Sequence, residues 1–476
     1  MKSVAAKLFP FMSNPPSPQL ATTIHKQSRA ILIALLFPTL AIILNGSMFS
    51  VALPTIRDEF AMPADVAAWL TIAFTLPFMM FMPLYGRLGD KLGKSRLLLA
   101  GILLFGLGSI LALVANSLLL LFIGRVVQGA GSAGVTPLSL AIIAERFSTE
   151  ERGRALGTWN SIAPGTSIFA PFIGGFLVDS LGWRTIFIPI IFAALLAFII
   201  VRWQIPALRD KPNWRVLRTF DWGGALLLNG TIIFLVLYVS SRPVTGIEAL
   251  QDWRLLFGVL LFTAGFITWE QRHALPLVDF QILGNHSFRL ASLLAGIRMA
   301  FMAGIVFLLP LYLDDIYSLT ASQIGLLTTV HAIALFISIR WGGSLADHRS
   351  NRWLIAISLS LQVTIMWYFA WLPGDLPLLW IIVGNVIHGF GAGLSLAPLH
   401  RTALSLIAPE QTGVAAGIYS MTRFGGSMLA TALAGVILQN GLDRGLLALD
   451  AYQVVFSWLG GAGLIGIFLA SRLRDE

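Results

Sequence analysis

The chain contains no cysteine, which removes disulfides and thiolate metal sites and leaves the redox compartment unread. It is also poor in charge. Only 12% of its 476 residues are Asp, Glu, Lys or Arg, against roughly 25% in water-soluble domains. Catalytic signatures are missing too: no HExxH pair, no G-x-S-x-G turn between a strand and a helix, and no His/Asp cluster with metal-ligand spacing. An enzyme is therefore the least supported class, and neither a cofactor nor a metal is expected. What remains is apolar, with 57% hydrophobic residues and a mean hydropathy of +0.81. The net charge of +9 could suit nucleic acid, but the basic residues fall between apolar runs, so no nucleic-acid partner is expected. Their distribution carries topology instead.

A helix needs about 20 apolar residues to cross the hydrocarbon core of a bilayer. Fourteen segments qualify, near 30–56, 65–85, 96–115, 118–142, 153–179, 184–204, 221–241, 253–270, 287–313, 321–345, 352–372, 376–400, 412–440 and 452–471. Residues 1–29 read as a tail, without the apolar core and small-residue cleavage site of a signal peptide. With both termini placed in the cytoplasm, the cytoplasmic segments hold 23 of the 32 Lys and Arg, the outer segments 5 and the spans 4. That asymmetry predicts a multi-pass protein of the plasma membrane, the inner membrane of a bacterium, with both ends inside.

The chain repeats itself. GRLGDKLGKSR, residues 86–96, sets four basic residues and one Asp between two apolar runs, and must be a short aqueous hairpin. A weaker copy, GSLADHRSNR, spans 343–352, and at an offset of 257 Gly86 meets Gly343 and Asp90 meets Asp347. The match frays at its end, where Arg96 aligns with Trp353 and the nearest basic residue is Arg352. Gly124, Gly129 and Gly131 recur 260 residues later as Gly384, Gly389 and Gly391, and Gly153 and Gly157 as Gly413 and Gly417. The predicted architecture is an all-α integral membrane protein. It has a cytoplasmic tail (1–29), a six-helix bundle (30–204), a linker with two added spans (205–286), and a second six-helix bundle with a short tail (287–476). Parallel repeats of six spans are a transporter arrangement, with the substrate site between the halves near the midplane. The run GDKLGKS mimics the end of a phosphate loop, but its glycine spacing is one short and no strand precedes it.

These residues carry a family resemblance. The hairpin 86–96 is similar to the loop signature between the second and third helices of the major facilitator superfamily. LFIGRVVQGAGSA at 121–133 resembles its fourth-helix signature, with Arg125, Gln128 and Gly129 in place. GTSIFAPFIGG at 165–175 resembles the fifth-helix antiporter signature, with Ala170 where a glycine usually precedes Pro171. VALPTI (51–56), WRTIF (183–187) and RFGGS (423–427) resemble the fourteen-span branch, the drug:proton antiporters. The resemblance covers about residues 30–471. It implies efflux of small amphipathic molecules by alternating access, protons as the coupling ion, and a periplasmic adaptor protein as a candidate partner in bacteria with two membranes. The family's first helix usually carries an Asp where this chain has Asn45.

The candidate site residues follow. Gly86, Arg87, Gly89, Asp90, Gly93 and Arg96, with Gly343, Asp347 and Arg352 in the copy, are the gating hairpins. A carboxylate there can approach a helix N-terminus, so the repeat suggests crossed docking, Asp90 near residue 412 and Asp347 near residue 153. Pro164, Pro171, Gly174 and Gly175 mark a bend in the fifth span, read either as a hinge or as close packing. Arg125, Arg298 and Arg423 lie deep in apolar runs, where an arginine costs about 3 kcal/mol or more unless it faces a cavity or a partner. With no Asp or Glu at that depth, the central cavity is expected to be electropositive and to favour neutral or anionic cargo. Asn45, Gln128, Asn160, His331, Asn385 and His388 complete the cavity and coupling candidates, since Asn45 cannot titrate and histidine can. Trp159, Phe74, Tyr312, Tyr419 and Met421 are aromatic or apolar candidates for its wall. Two alternatives to broad efflux stay open: a dedicated exporter of a siderophore, acidic metabolite or glycoside, and a transport-inactive sensor or assembly partner.

Overall fold

The structure, a computed structural model, describes residues 18–205, 220–273, 278, 280–405, 407 and 411–473; at 18–28, 90, 149, 150, 412 and 413 it describes the backbone alone. Among the described residues every regular element is helical, and fourteen segments are long and apolar enough to cross a membrane. They match the fourteen predicted spans within a few residues.

The first half comprises α1 (Pro18–Glu59), α2 (Ala64–Leu92), α3 (Lys94–Leu113), α4 (Leu118–Ser132), α5 (Val135–Arg146), α6 (Thr149–Asn160), α7 (Ile162–Leu181) and α8 (Phe187–Gln204). The inserted pair is α9 (Trp222–Val239) and α10 (Trp253–Glu270). The second half comprises α11 (His286–Tyr317), α12 (Ala321–Ala346), α13 (Asn351–Ala370), α14 (Leu378–Leu394), α15 (Leu396–Leu404), α16 (Thr412–Asp443) and α17 (Ala448–Ser471). Each half is a bundle of six spans. α4–α5, α6–α7 and α14–α15 are each one span broken in the middle.

Proline explains the breaks. Pro137, Pro164 and Pro398 each stand third in α5, α7 and α15, after the caps Gly134, Ser161 and Ser395. A proline offers no N–H to the carbonyl four residues back and its ring crowds that carbonyl, so the helix parts just upstream. The break in the fourth span recurs in the other half because its proline recurs. The fifth span does not repeat its break: Phe424 stands 260 residues beyond Pro164, and α16 runs unbroken for 32 residues. Pro171 sits inside a continuous helix.

The halves meet where α7 packs on α12, α2 on α16 and α1 on α11. Small residues allow the approach, as in lipid-embedded helix pairs. Between the halves, Cβ atoms at Gly175 and Gly325 would strike the backbones of Ala321 and Pro171, and within the first half one at Gly174 would lie 2.9 Å from the Met48 Cα. Gly174 and Gly175 are thus positions of close packing. α9 lies against α16, where Val236 and Val239 join Ile72, Met79 and Met428 in a separate apolar cluster.

Candidate functional site: a central cavity closed at one end

The hairpin 86–96 defines one end of the molecule. α2 ends at Leu92, α3 begins at Lys94, and Gly93 makes the turn with φ +98°, a conformation that suits glycine. Gly89 leaves room for Leu138, and Gly86 faces Pro137 as Gly343 faces Ala397, the same contact displaced by the repeat. Arg96 is exposed, Arg87 and Arg352 are half-buried, and the side chain of Asp90 lies outside the described residues. Asp347 does not reach residue 153: it accepts a hydrogen bond of 2.7 Å from Arg401 in its own half. Lys94 pairs with Glu145, also within one half. Both of these pairs stay inside a single half.

The halves are joined at the far end. Arg57, at the end of α1, donates to Asp314 at 3.1 Å and Asp315 at 2.7 Å in α11, and Tyr452 donates to Asp315 at 2.6 Å. Arg242, after α9, bridges Asp65 of α2, at 3.0 Å, and Asp443 of α16. Two crossed helix caps accompany these pairs. The Asp179 carboxylate, ending α7, accepts from Ala321 N at 3.0 Å and Ser322 N at 2.8 Å, the first amides of α12. Gln439 Oε1, near the end of α16, accepts from Ala64 N at 2.7 Å, the first amide of α2. Asp179 and Gln439 are 260 residues apart and Ala64 and Ala321 are 257 apart, so the two caps are one device used twice. The sequence reading missed both residues. Their signal was a hydrogen-bonding side chain at the same repeat offset, at the end of each fifth span.

Between the two ends lies a cavity of about 440 Å³. α1, α2 and α5–α7 of one half and α11, α12 and α16 of the other line it, with Ser47, Ser50, Thr75, Thr136, Ser167, Thr328 and Ser427 supplying hydroxyls. Phe74, Phe78, Phe424 and Trp159 supply aromatic faces, and Met299 and Met302 adaptable ones. Asn160 lines it and is exposed, and nothing lies within 4 Å of where a Cβ would stand at Gly157, Gly165 or Gly417. The cavity therefore reaches out toward the hairpin end.

Among the described residues, no Lys, Arg, Asp or Glu lines this space, and His331 is the one titratable side chain that does. The expected electropositive wall is instead a neutral wall with cations behind it. Arg125, 2% exposed, turns into its own bundle: it donates to Leu70 O at 3.2 Å, Gln128 Oε1 at 3.0 Å and Asn45 Oδ1 at 3.3 Å, between the rings of Phe49 and Phe74 at 3.9 and 4.7 Å. Gln128 donates onward to Ser109 at 2.9 Å. Carbonyls and amides at that depth satisfy the guanidinium without water, which is why it faces inward. Asn45, Gln128, Asn385 and His388 are fully buried and stand off the cavity with it.

In the second half His331 Nε2 and His388 Nδ1 are 2.9 Å apart, and Asn385 donates to Leu327 O at 3.5 Å. Arg298, 4% exposed, donates to Ala392 O at 2.7 Å and reaches Met299 Sδ at 3.7 Å; Arg423, half-buried, reaches the same sulfur at 3.9 Å. Of the proposed wall residues, Phe74, Trp159, Asn160 and His331 line the cavity. Tyr312 instead packs on Tyr452 and Phe456, Tyr419 on His400, and Met421 beside the Met79–Met428 cluster.

The family model of the Major Facilitator Superfamily matches residues 35–308 and 291–476, two matches for a duplicated chain. The riboflavin transporter RibZ of Clostridioides difficile is 28% identical over 85% of this chain and 85% of its own. The multidrug resistance protein Stp of Mycobacterium tuberculosis is 30% identical over 85% of this chain and 75% of its own. Among solved structures, a bacterial homolog of the human lysosomal transporter Spinster, inward-facing and unoccupied, superposes with a TM-score of 0.65 at 15% identity, covering 94% of this chain and 96% of that one.

Proposed function

The chain belongs to the Major Facilitator Superfamily, and on that premise we propose that it is a secondary active exporter. It moves small amphipathic molecules out of the cytoplasm by alternating access, in antiport with protons. The observation that carries this reading is the chamber between two repeated bundles, bonded shut at the far end and reaching outward at the other. The basic hairpins put that open end in the cytoplasm with both termini, in a bacterial inner membrane. Transport then consists of docking the hairpin end while the far-end caps and ion pairs release. An adaptor protein, in a cell with two membranes, would engage the far end.

The test is flux into inside-out proteoliposomes of the purified chain under an imposed pH gradient, with a panel of neutral, anionic and cationic amphipaths. Cargo should accumulate in the lumen only when the lumen is the more acidic side, so that protons leave as cargo enters; no flux of any compound under any gradient removes the exporter reading and favours a sensor.

Proton coupling is assigned to His331 and His388, because Asn45 cannot titrate and the hydrogen-bonded imidazole pair reaches the cavity wall. If the His331→Gln, His388→Gln double variant keeps its full pH-driven flux, the assignment fails. A second reading, export of one endogenous neutral or anionic metabolite, is favoured by a cavity wall without carboxylates. RibZ, a relative, is named for the transport of a single compound, riboflavin.

A further inference from the structure

The three arginines of the apolar runs are not equivalent. Arg125 spends its donors on three acceptors and two aromatic rings. Arg298 has one strong acceptor, the Ala392 carbonyl, and its Nη1 meets only the thioether of Met299. Arg423 has that same thioether and the outlying rings of Tyr419 and Phe424, at 5.7 and 5.8 Å. A guanidinium carries five N–H donors and a thioether is a weak acceptor, so both cations are short of acceptors, Arg298 in the low-dielectric depth where that costs most and Arg423 half-buried beside it. No described carboxylate lies within ion-pair reach of either.

We propose that Arg298 and Arg423 form an anion subsite at the wall of the central cavity, which binds a single carboxylate or phosphate group. Both guanidiniums converge on one sulfur, at 3.7 and 3.9 Å, so their facing nitrogens are no farther apart than those two distances laid end to end. An anion accepting from both needs two N···O contacts of about 2.8 Å plus its own O···O width, which fits that span. Met299 lines the cavity, and its unbranched side chain swings aside at little cost. An anionic group entering from the cavity takes the place of the sulfur and gains two charge-assisted bonds. The rest of the molecule then lies against the uncharged aromatic and hydroxyl wall. The subsite rests on reading this cavity as the cargo path, and it names the cargo class: amphipaths with one negative group.

The test uses the full chain in phosphatidylcholine nanodiscs, titrated calorimetrically with benzoate and with benzamide, its uncharged counterpart. Benzoate should bind at least tenfold more tightly than benzamide. Arg298→Gln and Arg423→Gln should each weaken benzoate about tenfold or more and leave benzamide unchanged, the latter reporting an intact fold, while Arg423→Lys keeps most of the affinity. Adding phosphatidylglycerol to the discs separates the sources. Competition with benzoate in the wild type, absent in Arg423→Gln, means that lipid phosphate reaches the same subsite; no competition means that it is fed from water, and both support it. Equal binding of benzoate and benzamide, no benzoate binding, or undiminished binding in both Gln variants overturns the proposal. A chain that binds benzoate and transports nothing keeps the subsite and loses the exporter reading. A chain that fails the titration and still moves a neutral amphipath does the reverse.

Discussion

Arg125 and Asn385 stand 260 residues apart at the same place in the two halves and make the same bond. Arg125 donates to Leu70 O in the second span of its bundle, and Asn385 donates to Leu327 O, 257 residues on, in the second span of the other. Around that shared bond the chemistry has parted. In the first half the cation is central, clamped by Phe49 and Phe74 and tied through Gln128 to Ser109. In the second half the same positions are neutral: Asn385 replaces Arg125, His388 replaces Gln128, and His331 stands where Phe74 does. The cations have moved to Arg298 and Arg423, beside the cavity and short of acceptors. The duplicated frame is a packing solution that both halves need, and the placing of charge on it is free to differ. The first half holds its charge as structure and the second holds its charge available.

That contrast makes its largest prediction in stability. Arg125→Ala strands Asn45 Oδ1 and Gln128 Oε1 in a dry interior, and each unsatisfied buried acceptor costs about 1–3 kcal/mol. Arg298→Ala strands one carbonyl. Thermal unfolding in detergent, followed by near-ultraviolet dichroism, should show a far larger drop in Tm for Arg125→Ala, whose yield in membranes should also fall. Equal drops would mean that both arginines are structural, and the contrast between the halves would be lost.

The far-end caps carry the same comparison at smaller scale. Asp179 brings a full charge to two amides of α12, and Gln439 a neutral oxygen to one amide of α2. A lost N-terminal cap costs roughly 1–2 kcal/mol, with the charged cap at the upper end. Because the chain has no cysteine, spin labels can be set at Leu119→Cys and Leu379→Cys, exposed repeat-related sites at the far ends of α4 and α14. Asp179→Ala should add a longer-distance population and move the closed-to-open ratio by about tenfold, and Gln439→Ala should move it less. An unchanged distance distribution in Asp179→Ala would remove the cap from the gate.

What the sequence shows and hides follows the same division. The spans, the repeat and the depth of the arginines are legible because hydropathy and offset are properties of one segment at a time. The broken spans are legible after the fact in Pro137, Pro164 and Pro398. The azimuth of a buried side chain is not legible. Arg125 was expected on the cavity wall and turns into its own bundle, because the carbonyl that orients it belongs to a helix 55 residues away. The crossed caps join residues 142 and 375 apart, and a periodicity argument does not reach so far. Crossed docking was expected of Asp347, which instead bonds to Arg401 within its own half; the ion pairs that join the halves lie at the opposite end.

The smallest expected effect tests the comparison most directly. Asn45 Nδ2 is buried without a partner while its Oδ1 accepts from Arg125. Asn45→Asp removes the orphaned amide and gives Arg125 a carboxylate. The desolvation of the new charge and its attraction to the guanidinium roughly cancel, so Tm should change little, by about 1 kcal/mol or less in stability. Function should change more, since a group that takes and loses a proton now sits where the first half had none. If the first half is silent in coupling only because Asn45 cannot titrate, the variant's flux will depend on pH more steeply than the wild type's, and will keep part of that dependence when His331 and His388 are also replaced. A pH profile identical to the wild type's would place coupling wholly in the second half, and Arg125 would then be structural in the strict sense.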